Sequence, residues 1–504
     1  MPFVANPELP VPDGLVLRPF RGVRFTVDDL AAVTSPPYDL IDEAGVRDLL
    51  DAHPNNVVRL ILPGTDRHRY AEARETLRQW LSSGVLAADE TPAVYVYEQS
   101  GPETLQRGLI GDVGLAGPEL GIVLPHENVM PGPVADRLAL MRTTEANLEP
   151  IFLLYDGAGG AASRLVDEVA TTRSPLAEAR TRDGVRHRLW AVTDPDELAV
   201  LDADLRPRQA LIADGHHRYA TYLALQREHR TGETGTAGTT VPDGPITTPD
   251  ASVTISHTSI TTPDRPITAS HTAVTTSDAS ALTSGASAVT ASSATPAVSV
   301  SPPVSNAGVE PGPWDFGLAL LVDSSAYPPD LKAIHRVIPG LPLDEALAGA
   351  RNSWQVREHA TLAAGLAALE KADGPAYLLS AGDTAYLLTD PDPAQVEQAM
   401  PPDRSAGWRS LNTSVLAEFL LPKVWGMDDD ERTVRIVHHD PEAAVRLARQ
   451  TGGTAVLLRP LAVDDVLAVA ARGERVPRKS TSFGPKPLTG MVLRTLMREH
   501  NIRP

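Results

Sequence analysis

A long segment of low complexity interrupts the chain and limits how the rest can fold. From about Thr231 to Gly312 the sequence consists largely of Thr, Ser, Ala, Pro and Gly, with few charges and almost no large apolar residues. It carries a loose repeat, "ISHTSITTPD" followed by "ASHTAVTTSD". Such a segment buries too little apolar surface to offset the entropy of ordering it. We therefore predict a disordered insertion over 231–312 that separates two globular parts.

The flanking sequence alternates strand-like and helix-like runs, which predicts an α/β fold with mixed sheets. β-branched and aromatic runs predict strands, and apolar residues at helical spacing predict helices. The predicted strands are 55–62, 93–99, 105–116, 150–156, 186–193, 209–213, 314–324, 376–382, 384–390 and 455–462. The predicted helices include 70–84, 219–229, 343–354, 412–421, 441–452 and 463–474. These runs suggest four segments: an N-terminal α/β part at 1–120, a core with the candidate site at 121–230, the insertion at 231–312, and a C-terminal α/β part at 313–504.

Composition excludes several classes of function. No apolar run approaches the roughly 20 residues that span a bilayer, so we expect no transmembrane helix. The N-terminal "MPFVANPELPVPDG" lacks the pattern of a signal peptide. Because the sequence has no Cys, disulfides, thiolate catalysis and Cys-ligated zinc are excluded. The formal net charge of −19 argues against a broad nucleic-acid-binding surface. We expect a cytoplasmic protein with a small-molecule substrate and no nucleic-acid or membrane partner.

The densest group of functional residue types is the DGHHR turn, residues 214–218, between an apolar run and an amphipathic one. The first turn of a helix offers unpaired N–H groups and a positive dipole end, which favour phosphate. Gly215 permits close backbone approach, and Arg218 can grip a phosphate with two hydrogen bonds. His216 and His217 can donate to phosphate or move a proton, and Asp214 can hold Mg²⁺ or orient a hydroxyl. The plainer alternative is that Asp214 caps the helix and the histidines lie on the surface.

A second group lies in "VLPHENVMPGPVADRLALMRTTEANLEPIF", residues 123–152. Glu127 is a candidate general base or metal ligand, and His126 and Arg142 are candidate anion ligands. The alternative is a surface loop that leads into a helix.

Three further segments are weaker candidates. In "GERVPRKSTSFGPKPLTG", residues 473–490, a Gly- and Pro-rich loop carries Arg478, Lys479, Ser480, Thr481 and Lys486. This loop could clamp an anion or be a solvated basic loop. Tyr38 and Asp39 in "VTSPPYDLID" favour a structural turn, and we also interpret "VHHD" at 437–440 as structural.

Six boxes resemble, in this order, the bacterial family known as domain of unknown function 1015. They are "RPFRGVRF", "SPPYDLID", "PHENVMPGPVADRLALMRTTEANLEPIF", "ADGHHRYAT", "AIHRVIPGL" and "VPRKSTSFGPKP". The resemblance extends over nearly the whole chain outside 231–312, and its family name implies no activity.

More distantly, the "PHE" and "DGHHR" boxes resemble those of free-serine kinases in the ParB and sulfiredoxin superfamily. That resemblance implies that Glu127 is the base for a serine hydroxyl and that Asp214 is a second catalytic or Mg²⁺-positioning carboxylate. It also implies that residues 215–218 hold the phosphates of ATP or ADP.

Two classes of function remain open at this stage. The first is phosphoryl transfer on a small metabolite, as a serine kinase or in reverse as a phosphoserine phosphatase. Such an enzyme needs phosphate donors, a metal and a proton-accepting carboxylate. The second is a nucleotide-binding switch of ParB-like type without turnover, which needs no base at Glu127. A nuclease conflicts with the net charge and ranks last.

Overall fold

The structure is a computed structural model that describes residues 12–102, 104–231, 310–430 and 432–496. Within these ranges helices and strands alternate as expected, and the mixed α/β class is confirmed. Most of the predicted insertion, residues 232–309, lies outside the described residues, so its disorder stays a prediction. The division into four segments also stays a prediction.

Two main sheets organise the described part of the chain. The larger sheet has the strand order β6 (Val123–Leu124), β11 (Ala210–Asp214), β8 (Ile151–Tyr155), β12 (Phe316–Asp323), β5 (Leu105–Gly114), β4 (Val94–Ser100), β10 (Arg186–Val192) and β9 (Ala177–Arg180), with β1 (Leu17–Arg18) also paired to β5. The smaller sheet has the order β15 (Gln355–His359), β17 (Ala385–Thr389), β16 (Tyr377–Ser380), β19 (Thr454–Leu457), β14 (Ile334–Ile338) and β18 (Arg435–His438). Short pairs join β2 (Val23–Phe25) to β3 (Leu86–Ala88), β13 (Asp330–Lys332) to β20 (Ser482–Gly484), and β7 (Ala146–Asn147) to β21 (Arg494–Thr495).

The larger sheet is covered on both faces, which explains its apolar strands. Along β4, Val94 and Val96 pack into one apolar cluster while Tyr95 and Tyr97 pack into another. Successive side chains of a strand point to opposite faces, so this split follows from the period of two. The residues of β8 are buried throughout because both of its faces meet apolar side chains.

The helices of the described ranges surround these sheets. They are α1 (Leu30–Val33), α2 (Glu43–Ala52), α3 (Val58–Ile61), α4 (Arg69–Ser82), α5 (Pro131–Thr144), α6 (Ala161–Thr172), α7 (Pro195–Leu205), α8 (His216–Thr231), α9 (Leu343–Ala350), α10 (Leu362–Glu370), α11 (Pro393–Ala399), α12 (Ala406–Ser410), α13 (Asn412–Val415), α14 (Pro441–Gln450) and α15 (Val463–Ala471). Residues Leu416–Val424 continue α13 as a π-helix. No helix among the described residues is both long and apolar enough to cross a bilayer.

One strand prediction was wrong. The predicted strand at 55–62 contains the short helix α3, Val58–Ile61, and no strand. The Asn56 side-chain oxygen accepts the Val58 N–H at 3.0 Å, which favours a helical start. Val58, Leu60 and Ile61 are all fully buried. Because the segment is a short, mostly apolar run, its pattern does not distinguish a buried helix from a buried strand.

Strand pairing brings the two sequence boxes to one edge of the larger sheet. β6 and β11 are parallel neighbours, and Leu124 is the register partner of Leu211. Parallel neighbours end at the same edge of a sheet, so residues 125–130 and the DGHHR turn both begin there. We call residues 125–130 the PHE loop. Helix α5 follows this loop and packs against α8.

The C-terminal segment returns to the same edge after the smaller sheet is complete. Strand β20 pairs with β13, and the chain then packs along the N-terminal part. The Leu488 N–H donates to the Tyr97 hydroxyl at 3.0 Å, and Thr489 forms a bridge with Ser35. These contacts fix residues 478–486 beside the start of α8.

Candidate active site

The DGHHR turn requires glycine at its second position. Gly215 has φ +94°, and a Cβ there would lie 2.9 Å from Cγ2 of Ile151. The Gly215 carbonyl accepts the Tyr219 N–H at 2.8 Å, which is the first hydrogen bond of α8. A side chain at this position would combine backbone strain with a close contact. The glycine therefore sets the angle at which β11 enters α8.

The two histidines of the turn hold the PHE loop. Nε2 of His216 accepts the His126 N–H at 3.3 Å, and Nε2 of His217 accepts the Met130 N–H at 3.1 Å. Adjacent helical side chains point about 100° apart, so the pair reaches two different points of the loop. Both Nε2 atoms accept, which places the hydrogen of each neutral ring on Nδ1. Burial lowers the pKa of both rings and favours this neutral form.

Glu127 lies at the end of a hydrogen-bonded chain. The Thr481 hydroxyl donates to Oε1 of Glu127 at 2.8 Å, and it lies 2.8 Å from Nε2 of His126. Since the hydroxyl has a single hydrogen, it accepts from His126, whose neutral ring then carries its hydrogen on Nε2. Burial lowers the pKa of His126 to about 3, which keeps the ring neutral. Burial also raises the pKa of Glu127, although the Thr481 hydrogen bond and the Lys479 cation oppose the rise.

Asp214 sits between two cations. Its Oδ1 is 2.5 Å from Nζ of Lys486, and its Oδ2 accepts from Nη2 of Arg218 at 2.5 Å. Lys486 also pairs with Asp39, so one ammonium joins the SPPYD turn to the DGHHR turn. Burial favours the neutral acid, yet Lys486 and Arg218 hold the pKa of Asp214 below its usual range. Asp214 is therefore ionised at neutral pH and organises both cations.

Residues 478–481, the RKST turn, deliver a cation and a hydroxyl to the site. Lys479 is exposed and has φ +53°. Its charge opposes the rise in the pKa of Glu127 and contributes to the lowered pKa of Asp214. Ser480 is buried and donates to the Pro477 carbonyl at 2.6 Å, so its hydroxyl stabilises the turn itself. Thr481 follows with the hydroxyl that contacts Glu127.

Most residues that the two main sequence boxes and the start of the RKST turn offered as candidates lie in this cluster. They are His126, Glu127, Asp214, Gly215, His216, His217, Arg218, Lys479 and Ser480. Arg142 does not reach it: its Nε donates to Glu228 at 3.0 Å, near the far ends of α5 and α8. Arg218 is buried and donates from Nη1 to the Pro150 carbonyl at 2.6 Å. Its guanidinium thus faces the interior and Asp214, which favours a positioning role over a direct grip on phosphate.

Four further residues of the site received little or no weight in the sequence. Thr481 and Lys486 belonged to a loop with two equal interpretations, and Asp39 to a turn interpreted as structural. Glu149 was not singled out, although its buried Oε1 accepts from the Tyr38 N–H and the Thr489 hydroxyl, each at 3.1 Å. The signal that could have drawn attention to Asp39 and Lys486 is their place inside two of the resembling boxes.

The described residues contain no group of three or more His, Asp or Glu side chains placed to hold a metal ion. Both oxygens of Asp214, the candidate Mg²⁺ ligand, already contact cations. The described protein groups therefore do not make a Mg²⁺ site by themselves.

Comparison with known families supports part of the resemblance. A family model described as "Protein of unknown function (DUF1015)" matches residues 17–243, which include the PHE loop and the DGHHR turn. The match does not reach the boxes that follow the insertion. No curated protein matches the chain.

The chain is also similar to several solved structures. A mutant free serine kinase in complex with AMP is 11% identical, with 78% of this chain and 93% of that chain covered and a TM-score of 0.31. SbnI with a C-terminal truncation, from Staphylococcus aureus, is 10% identical, with 76% and 86% covered and a TM-score of 0.31. A conserved hypothetical protein from Pyrococcus furiosus is 10% identical, with 78% and 97% covered and a TM-score of 0.29.

Proposed function

We propose that this chain transfers a phosphoryl group between a nucleotide, ATP or ADP, and the hydroxyl of a small metabolite. One observation carries the proposal: a carboxylate, a helix N-terminus and two lysines converge from segments that are far apart in sequence. Phosphoryl transfer asks the protein chiefly for positioned donors and a carboxylate that accepts a proton. Serine is the metabolite that the PHE and DGHHR resemblance suggests.

Glu127 is the general base in this proposal. In the kinase direction, its carboxylate takes the hydroxyl proton as the substrate oxygen bonds to the terminal phosphorus, and the bond from that phosphorus to the nucleotide's bridging oxygen breaks. A raised pKa brings the base closer to neutral pH, where proton transfer is most effective. The Thr481 hydroxyl fixes one oxygen of Glu127 and leaves the other for the substrate.

The phosphates lie at the start of α8 in this proposal. The first-turn N–H groups after Gly215, the Lys479 ammonium and Nδ1–H of His217 supply donors on one side of the turn. His217 is the catalytic member of the histidine pair because its side chain is less buried than that of His216. Asp214 holds Lys486 in place, and Arg218 holds Asp214.

Phosphorus NMR of the purified chain with Mg²⁺ tests the proposal. One sample contains serine and ATP, a second serine and ADP, and a third O-phosphoserine with or without ADP. We expect turnover in at least one sample, which also reveals the direction. Glu127→Gln should lower the rate about 10²- to 10⁴-fold, the usual contribution of a general base. The matched control is Glu370→Gln, an exposed glutamate at the end of α10, which should leave the rate unchanged.

Two results would count against the enzyme. If Glu127→Gln retains full turnover, another group is the base. If nucleotide binds saturably without turnover in any sample, and Lys479→Met abolishes the binding, the chain is a nucleotide-binding switch of the ParB-like type.

A further inference from the structure

A buried arginine of the smaller sheet reaches toward the candidate site. Arg336 lies in β14, between β18 and β19, and is 1% exposed. No carboxylate of the described residues lies within 4 Å of its guanidinium. Burial lowers the pKa of Arg336 to about 10, so the side chain remains charged at neutral pH. A fully buried, unpaired arginine is rare because desolvating its charge is costly.

The guanidinium of Arg336 donates hydrogen bonds to main-chain carbonyls. Nη1 donates to Ile334 at 3.1 Å, while Nη2 donates to both Arg478 and Lys479 at 2.9 Å. Within the described part of the chain, its Nε has no hydrogen-bond partner. Two of the three carbonyls belong to the RKST turn. One side chain of the smaller sheet therefore holds the backbone of that turn.

One of these hydrogen bonds is to Lys479, the one residue of the RKST turn with a left-handed backbone conformation. Lys479 has φ +53°, a conformation that a lysine adopts only when surrounding contacts enforce it. The bond from Arg336 to the Lys479 carbonyl is such a contact, and the Ser480 hydroxyl adds another from within the turn. The direction of the chain at Lys479 decides where Thr481 comes to lie, and Thr481 is the residue that contacts Glu127.

We propose that Arg336 is a positioning residue: it holds the RKST turn so that Lys479 faces the phosphate site and Thr481 contacts Glu127. This inference rests on the proposed function for its catalytic consequence, whereas the hold on the turn is a separate physical claim. The guanidinium is suited to it because Nη1 and Nη2 of one planar group donate together to three carbonyls, an arrangement that the compact ammonium of lysine does not reproduce.

The first experiment measures how strongly Arg336 restrains the RKST turn, without an activity assay. Hydrogen–deuterium exchange is followed in the full chain for wild type and Arg336→Lys. We expect exchange of residues 477–484 to rise about tenfold or more, while the rest of the smaller sheet exchanges as in wild type. The matched control is Arg459→Lys. Arg459 donates to the Ala372 and Gly374 carbonyls at 2.5 and 2.6 Å and likewise has an unpartnered Nε, so its variant should loosen 371–375 and not 477–484.

The second experiment measures the consequence for turnover. Arg336→Lys should lower kcat/KM about 10- to 100-fold, because the loosened turn carries both Thr481, which contacts Glu127, and Lys479, the proposed phosphate donor. We expect a lower kcat from the first displacement and a higher KM for nucleotide from the second. Arg336→Met also removes a cation that interacts with Glu127. The pKa of Glu127 should then rise, and the acidic limb of the pH–rate profile should move to higher pH. Arg459→Met should move neither quantity.

The inference is overturned if Arg336→Lys folds and exchanges at 477–484 as wild type does. It is also overturned if exchange rises equally throughout the smaller sheet, because Arg336 would then serve general stability. Should the wild-type chain show no turnover, the proposed function fails, yet the exchange comparison still decides whether Arg336 holds the turn.

Discussion

Removing the Lys486 ammonium should destabilise the fold by an amount that depends on pH. Its side chain is 13% exposed and that of Asp214 is 16% exposed, so Lys486→Met leaves a largely buried carboxylate with one cation fewer. Unit charges about 4 Å apart attract by about 4 kcal/mol at an effective dielectric of 20. Removing one partner of a buried pair costs about 3–5 kcal/mol. Because Arg218 remains beside Asp214, we expect about 3 kcal/mol at pH 7.

The pH dependence follows from the lowered pKa of Asp214. A carboxyl with a lowered pKa in the folded state contributes stability above its unfolded pKa, near 3.9, and loses it as pH falls through the folded value. The wild-type advantage over Lys486→Met should therefore be complete at pH 7 and shrink as the pH approaches 3. Urea unfolding followed by circular dichroism at several pH values measures this difference. Lys371→Met, at an exposed lysine after α10, is the control.

A double-mutant cycle isolates the pair. We expect a coupling of about 2 kcal/mol between Lys486→Met and Asp214→Asn at pH 7. A coupling below about 0.3 kcal/mol, within the usual error of additivity, would refute the reasoning. So would a Lys486→Met penalty that is unchanged at pH 3.

Three further outcomes are expected. Thr481→Val removes a hydrogen-bond donor to Glu127, so the pKa of Glu127 should rise and the acidic limb of the pH–rate profile should move to higher pH. If the acidic limb does not move, Glu127 is not the base. Gly215→Ala should lower the free energy of unfolding in urea by about 2 kcal/mol more than Gly84→Ala does, since both glycines have positive φ but only Gly215 has a neighbouring side chain where the new methyl would lie. Equal losses in the two variants would show that this steric contact is unimportant. Glu98→Gln should lower the free energy of unfolding by about 3 kcal/mol at pH 7, because the fully buried Glu98 carboxylate binds two arginines. The pKa of Glu98 is lowered in the folded state, so this penalty should shrink below about pH 4, and a penalty that does not change with pH would contradict this account.

The sequence was most informative where the chemistry is local. A glycine between an apolar run and an amphipathic run predicted the DGHHR turn, and the structure has β11 and α8 on either side of Gly215. Nine of the ten apolar runs predicted as strands also contain strands in the structure. The exception, α3, lies in a short and mostly apolar run, where the spacing of apolar residues does not separate a helix from a strand.

The assembly of the site depends on pairing that sequence patterns do not specify. Glu127 and Thr481 are 354 residues apart, and their contact requires both the parallel pairing of β6 with β11 and the return of the C-terminal segment. Residue type also does not reveal which way a side chain points in the folded chain. Arg142 and Arg218 both looked suited to bind an anion, yet one pairs with Glu228 and the other turns inward to Asp214.

The place of β12 in the larger sheet has a consequence for how the chain is made. This strand follows the insertion but lies between β8 and β5, and it pairs with both. At about 5–20 residues per second, a ribosome needs roughly 4–17 s to pass from Thr231 to Phe316. Throughout that interval β8 and β5 each present an open edge of unpaired N–H and C=O groups, the kind of edge that recruits other strands. Until β12 has been translated, these two edges therefore leave the nascent chain open to pairing with strands of other molecules.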